Sequence, residues 1–491
     1  MTTSEEILQL EPRALWGHFA DLNAIPRPSK KEERVVRFMR AFGDNLGLET
    51  TVDGTGNVIM RKPASPGMED RVGIVLQGHL DMVHQKNAET DFDFDSEGIR
   101  MKVEGDWVVA DGTTLGADNG IGVAAIMAIL ASDDIRHPAI EALFTVDEES
   151  GMTGASGLHK DVLSGSILLN LDTEDDAELT IGCAGAVNVL ANGGYAEEPA
   201  GPGSAAFVLR VRGLAGGHSG MDIHLGRANA NKLLNRLLFL AQEEAGLRIA
   251  SIDAGGLRNA IPREAGARVM VPGPRVAALQ KLVAEQADVL RAEYAATDPD
   301  LQVCLDPSEP PSSLMSQDFQ RRLLSAVYAC PNGIFRMSPE IEGLVQTSNN
   351  LARVAAADGR LQIHCLVRSA VDSEKLDLAR AIRCAFEPAG AQVEFSGSYP
   401  GWTPRPDAPI LKLMSELYRQ MFGESAAVLA CHAGLECGIV GAHYPEMQMI
   451  SFGPTIRGAH SPDERVQVSS VQKFWRFLQA TLEKIPLKPM E

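Results

Sequence analysis

Six side chains, scattered through a chain of 491 residues, are of the types that hold divalent metal ions and move protons: His79, Asp118, Glu148, Glu149, Asp172 and His460. Two imidazoles with four carboxylates make the nitrogen- and oxygen-rich set that borderline ions such as Zn²⁺, Mn²⁺ or Co²⁺ prefer. Taken singly, each residue has an ordinary explanation. A histidine after a strand is usually a polar rim residue, adjacent glutamates are usually a solvated turn, and an aspartate flanked by glycines is usually a turn residue. Gathered at one place, so many carboxylates would repel one another unless a cation lay among them. Two ions about 3.5 to 4 Å apart need a bridging carboxylate, a histidine and a further carboxylate on each, and a free carboxylate beside the water between them. The six groups fill those roles and divide between metal ligation and acid–base work.

Whether they meet depends on the elements that carry them. From about residue 70, short apolar runs alternate with helical patterns, the signature of an α/β layer architecture. Residues 72–77 (VGIVLQ), 140–146 (IEALFTV) and 166–171 (SILLNL) read as buried strands, and 119–131 as a helix opening on Asn and Gly. Each strand stops at charge: His79 and Asp81, the pair Glu148 and Glu149 after Asp147, and Asp172. In an open α/β sheet the carboxyl ends of the strands line the ligand crevice, so three such endings can converge.

Texture changes after Gly182. Residues 191–204 (ANGGYAEEPAGPGS) read as loop, which places a domain boundary near residue 184. Beyond it the pattern gives strands at 206–212 and 361–368 and helices at 228–244, 275–296, 317–328 and 373–386, an α+β domain. A second Pro-rich break at 399–409 precedes a strand at 447–452 and an amphipathic helix at 469–483. The expected fold is α/β: a catalytic domain, residues 1–183 and 399–491, with a mixed, mostly parallel sheet flanked by helices, and an inserted α+β lid domain, residues 184–398.

Composition narrows the partners. With 45 basic and 65 acidic residues the net charge is −20, which disfavours nucleic acid and anionic membrane surfaces. Seven cysteines, at 183, 304, 330, 365, 384, 431 and 437, are odd in number and form no Cys-x-x-Cys pair, as expected of reduced thiols. The opening Met1 to Leu8 carries acidic residues where a signal peptide carries basic ones, and no stretch approaches the roughly 20 apolar residues of a membrane span. A cytoplasmic protein is expected. The acidic loop with His84, Asp91, Asp93 and Asp95 lacks the glycine and glutamate of a calcium-binding loop, and the Gly-rich segment 213–220 matches no nucleotide-binding pattern.

Gly78-His-Leu-Asp81, Leu115-Gly-Ala-Asp-Asn-Gly120, Glu148-Glu149-Ser-Gly151, Asn170-Leu-Asp172 and Gly458-Ala-His-Ser-Pro462 together resemble the motifs of the co-catalytic metallopeptidase family that holds carboxypeptidase G2, carnosinases and aminoacylases. Ile181-Gly-Cys-Ala-Gly185, Gly216-Gly-His-Ser-Gly220, Arg258-Asn-Ala-Ile-Pro262 and Cys431-His-Ala-Gly-Leu-Glu-Cys437 are similar to its aminoacyl-histidine dipeptidase branch, the bacterial peptidase D group. The resemblance runs from about residue 10 to the end.

It implies two divalent metals, zinc first, with manganese or cobalt acceptable. His79, Asp118 and Asp172 would hold one and Asp118, Glu149 and His460 the other, with Asp118 bridging. Asp81 would fix the tautomer of His79, and Glu148 would act as general base on a metal-bridging water. If the segment stays extended, Glu149 points away from Glu148, which suits two different roles. His218 would stabilise the tetrahedral oxyanion, and Asn259 and Arg368 would bind the substrate's C-terminal carboxylate. His432 and Glu436 would shape the pocket. The implied activity is hydrolysis of dipeptides, Xaa-His first, by a homodimer. N-acyl-amino-acid amidohydrolase, a broader di- or tripeptidase, and a non-catalytic metal- or peptide-binding protein are the alternatives.

Overall fold

A computed structural model describes residues 6–489; the first residues of the Met1 to Leu8 segment lie outside them. The chain divides into two compact units, one made of the residues through Gly182 with Pro404–Ala430 and Leu435 onward, the other of Cys183–Thr403 with Cys431–Gly434.

The first unit is built on an eight-stranded sheet in the order Glu49–Val52, Val58–Lys62, Ile140–Thr145, Ile74–His79, Ile167–Asn170, Gln448–Ser451, Glu178–Cys183, Ala427–Cys431. Its four central strands, from Ile140–Thr145 to Gln448–Ser451, run parallel, and antiparallel pairing begins on either side of them. Strands Ile140–Thr145, Ile74–His79 and Ile167–Asn170 are buried along their whole length. That is why they read as continuous apolar runs without alternation, as parallel strands covered on both faces do.

Strand boundaries sit within two residues of the expected ones, and the difference matters at His79, which closes its strand instead of following it. The helix Ala117–Ala131 is apolar nearly all round because strand Ile74–His79 and helix Arg13–Asn23 both pack on it. Asp118 and Asn119 leave helical geometry, so the regular helix starts at Gly120.

The second unit carries a separate antiparallel sheet whose main path runs Gln302–Pro307, Ser204–Arg212, Ala265–Pro272, Arg248–Gly255, Val345–Ala357, Arg360–Ser369, Gly185–Gly194, Gln392–Tyr399. Leu233, Leu237, Leu279, Leu290, Leu323 and Leu378 from its helices fill the core. The expected loop at 191–204 is partly strand. Gly185–Gly194 is paired on one side with Arg360–Ser369 and on the other with Gln392–Tyr399, and ladder bonds on both edges override the weak strand propensity of Asn192, Gly193 and Gly194. None of the seven cysteines is joined in a disulfide, and among the described residues no helix is long and apolar enough to cross a membrane.

Close packing of the helix Ala117–Ala131 rests on Gly122. A Cβ there would stand 2.5 Å from the carbonyl oxygen of Leu171, the residue before Asp172, and 2.8 Å from the Asn119 amide nitrogen. Gly122→Ala is expected to cost about 1–3 kcal/mol by overpacking and to lower the melting temperature in a calorimetric scan. An unchanged melting temperature would mean that the helix gives way at no cost.

Candidate metal centre

The loop carrying Asp118 is held by a residue not singled out in the sequence. Glu464, almost wholly buried, accepts hydrogen bonds from the backbone amides of Leu115 (2.7 Å), Gly116 (3.0 Å), Ala117 (2.8 Å) and Asp118 (3.3 Å). Burial pushes its carboxyl up to about 6, against the lowering effect of those amides. Arg27, only 1% exposed, ties the loop to the neighbouring strand end. Its guanidinium donates to Gly116 O at 2.6 Å and to the carbonyls of Leu80 and Asp81 at 3.1 and 3.2 Å. Burial lowers its pKa to about 10, so it remains a cation beside the acids. Glu464 could have been suspected from its place four residues after His460; Arg27, in Ile25-Pro-Arg-Pro-Ser29, carries no such signal.

Asp81 does more than orient His79. His79 Nδ1 lies 3.1 Å from the Asp81 backbone carbonyl and 3.4 Å from its Oδ1, while the two carboxylate oxygens accept the backbone amides of Glu148 (3.0 Å) and Glu149 (3.2 Å) and Oδ2 also accepts the Ser29 hydroxyl (2.8 Å). Capping both amides folds Glu148–Gly151 into a helical turn, entered through Asp147 at φ 55°. The expected extended segment is therefore corrected. Glu148 and Glu149 differ in direction by the roughly 100° step of a helix and do not point to opposite faces of a strand.

Around this frame the six candidates meet. His79 Nε2 is 3.0 Å from Asp118 Oδ1 and 3.3 Å from Asp172 Oδ1. His460 Nε2 is 3.2 Å from Asp118 Oδ2 and 3.1 Å from Glu149 Oε2. Each oxygen of Asp118 thus faces a different histidine–carboxylate pair. Three groups could hold an ion: His79, Asp118 and Asp172; Asp118, Glu149 and His460; and His79, Glu148 and Glu149. Asp172 Oδ1 and Glu149 Oε1 are buried with no hydrogen-bond donor, as an oxygen reserved for a cation would be.

The electrostatics carry the same stamp. Burial pushes the carboxyls of Glu148, Glu149 and Asp172 up, that of Glu148 well above the ordinary range. Burial acts on Asp118 too, but His460 and His79 hold it far below. Hydrogen bonds to Asp118 and Glu149 push His460 up to about 11. His79 is raised well above its usual value although burial opposes it, through Asp172, Asp118 and Asp81. Two further acids were not read as part of this cluster: Glu174 and Glu436, both pushed up to about 8 by burial. Glu436 joins the strand ends beneath the site, accepting from Gln77 Nε2 (2.7 Å) and the Thr145 hydroxyl (2.5 Å).

His218, Asn259 and Arg368 lie together in the second unit. Strand pairing sets His218 opposite Ala260, and Ser219 N donates to Asn259 O at 2.7 Å. The backbone amides of Gly220 and Met221 donate to His218 Nδ1 at 3.3 and 3.0 Å, which leaves Nε2 as the protonated nitrogen. Arg368 is 5% exposed, and a Cβ on Gly220 would stand 3.2 Å from both Arg368 Nε and His218 Cε1.

A carboxylate–imidazole cluster at the carboxyl ends of a parallel sheet, buried at His79 and exposed at His460, in a two-unit α/β chain, defines a metal-dependent hydrolase. The sequence profile of peptidase family M20/M25/M40 matches residues 75–484. The chain is 42% identical over 483 residues to the cytosol non-specific dipeptidase of Escherichia coli (strain K12), covering 98% of this chain and 100% of that protein. The crystal structure of aminoacylhistidine dipeptidase from Vibrio alginolyticus superimposes with a TM-score of 0.92 at 43% identity, over 98% of both chains. That of the aminopeptidase PepT from Bacillus cereus shares the fold, with a TM-score of 0.56 at 16% identity over 97% of this chain and 99% of that one. The chain belongs to peptidase family M20/M25/M40, and it is a hydrolase.

With both histidines raised in pKa, the metal-free cluster holds protons at neutral pH that a cation must displace. Metal affinity is therefore expected to rise with pH across the neutral range, because His460 stays protonated below about 11 without metal. Calorimetric titration of chelator-treated protein in buffers of different ionisation enthalpy should report proton release. Heats independent of buffer with an affinity independent of pH would contradict it.

Proposed function

We propose that this peptidase is a di-metal dipeptidase acting on short peptides with a free C-terminal carboxylate, Xaa-His dipeptides such as β-alanyl-histidine first among them. The observation that carries the reading is Asp118, whose two oxygens face His79 with Asp172 on one side and His460 with Glu149 on the other. The orphaned oxygens of Asp172 and Glu149 fit cations in both places. Zinc suits the donor set best, and manganese and cobalt accept the same ligands.

When bound, the two ions supply Lewis-acid polarisation of the scissile carbonyl and lower the pKa of water. The remaining work falls to the chain's own groups. Asp81, on His79 Nδ1, keeps the Nε2 lone pair free for ligation. Glu148, which no ion requires once Glu149 is a ligand, takes a proton from the attacking water and delivers it to the leaving amine; its burial gives it the raised basicity that task needs. His218, protonated on Nε2, donates to the developing oxyanion. Arg368, with Asn259, holds the carboxylate by charge-assisted hydrogen bonds. The same reading makes residues 1–183 with 399–491 the catalytic domain and 184–398 the lid domain, and the enzyme a cytoplasmic homodimer.

A broader dipeptidase with the same site is the second reading, favoured by the non-specific dipeptidase of Escherichia coli at 42% identity. The test is hydrolysis of β-alanyl-histidine, Gly-His, Gly-Gly-Gly and an N-acetyl amino acid by chelator-treated protein with zinc or manganese restored. Histidine dipeptides should be cleaved fastest and only with metal. Equal rates on many dipeptides would select the broader reading, and cleavage of the acetyl amino acid alone an amidohydrolase. Glu148→Gln should bind metal as before and lose about 10²- to 10⁴-fold in turnover; retained turnover would remove it as the base.

A further inference from the structure

A buried arginine is ordinarily neutralised by an acid. Arg368 is 5% exposed, yet among the described residues it forms no ion pair. Its Nε has no hydrogen-bond partner, and one terminal nitrogen makes a long contact, 3.4 Å, to the Tyr399 hydroxyl. A histidine, His432, is tied to the strand residue that pairs with it.

His432 is 7% exposed and its ring is held between Ser348 and Val345. Nε2 accepts the hydroxyl hydrogen of Ser348 at 2.7 Å, and the ring donates to the backbone carbonyl of Val345. Ser348 is fully buried and stands directly opposite Arg368 in the antiparallel ladder, so its side chain lies on the same face, within about 5.5 Å at Cβ. The turn at Gly220 closes the arrangement from another side. A Cβ there would come within 2.3 Å of His432 O and 3.2 Å of Arg368 Nε, so no side chain fits between them.

We propose that His432 is a positioning residue for carboxylate recognition: keyed to the strand beside Arg368, it occupies the counter-ion's place with a neutral ring and leaves the guanidinium charge for the substrate. The inference rests on the reading that Arg368 holds the substrate's carboxylate. The ring's neutrality follows from its surroundings, since burial first and the Arg368 charge next push its pKa down to about 3. Bonded to Val345 and Ser348, the neutral imidazole brings no charge to compete with the substrate's anion. An acid at the same place would pair with Arg368 internally and shut the site against its ligand.

The test is steady-state kinetics on a histidine dipeptide and its C-terminal amide, with metal-loaded wild type, His432→Glu, His432→Gln, Arg368→Ala and the double variant Arg368→Ala/His432→Glu. For the free carboxylate, Arg368→Ala should raise KM about 10- to 100-fold, the range of a charged hydrogen bond. His432→Glu should raise KM by a similar factor with kcat nearly kept, and should add little in the Arg368→Ala background, because it acts through that arginine. His432→Gln, which can still accept from Ser348, should restore KM to within a few-fold of wild type. On the amide the His432→Glu effect should be small.

If Arg368→Ala leaves KM unchanged, the carboxylate reading fails. If Arg368→Ala behaves as expected but His432→Glu does not raise KM, or raises it equally in the Arg368→Ala background, the inference about His432 fails while the carboxylate reading stands. A loss of kcat shared by His432→Glu and His432→Gln would mark His432 as merely structural and also overturn the inference.

Discussion

Like charges that must be buried together constrain everything else in the first unit. Asp118, Glu148, Glu149 and Asp172 lie within one cluster, and without cations their mutual repulsion and desolvation oppose folding. The local structure is arranged to absorb this. Asp118 sits between two imidazoles, one on each oxygen, and Glu464 gathers four successive amides so that the loop cannot retreat from the acids. Arg27 places a buried cation between the two backbone segments that carry His79 and Asp118.

The sheet makes such a concentration of charge possible. Parallel strands buried on both faces deliver their carboxyl ends to one edge, and His79, Glu148 and Asp172 all lie at or just beyond those ends. Asp81 then couples the endings: the same carboxylate that lies against His79 caps the turn on which Glu148 and Glu149 ride. A change at Asp81 would disturb His79, Glu148 and Glu149 at once. In the second unit the problem is inverted. There a buried positive charge, Arg368, is kept without an internal partner beside a neutral histidine.

How much of this could be read beforehand depended on whether the signal was local. Apolar runs that stop at charge place His79 and Asp172 at strand ends correctly, because a two-sided buried strand must be apolar and can accept charge only where it leaves the sheet. The direction of Glu149 relative to Glu148 holds as expected only for an extended segment, and the turn that decides otherwise is imposed by Asp81, far away in sequence. Glu464 and Arg27 were missed for a related reason. Their roles are hydrogen bonds to backbone groups, which residue types do not display, and only the place of Glu464 after His460 hints at one of them. Residues 191–194 look like loop from composition and become strand through partners more than 150 residues away. The return of Cys431–Gly434 to the second unit, which brings His432 to Arg368, has no sequence signature either.

The central claim is that Asp118 bridges two cations. Anomalous diffraction from crystals grown with zinc or manganese tests it most directly. The account predicts two peaks about 3.5 to 4 Å apart, one within bonding distance of His79, Asp172 and one oxygen of Asp118, the other of His460, Glu149 and the second oxygen. A single peak under saturating metal, or two peaks of which only one touches Asp118, would contradict it.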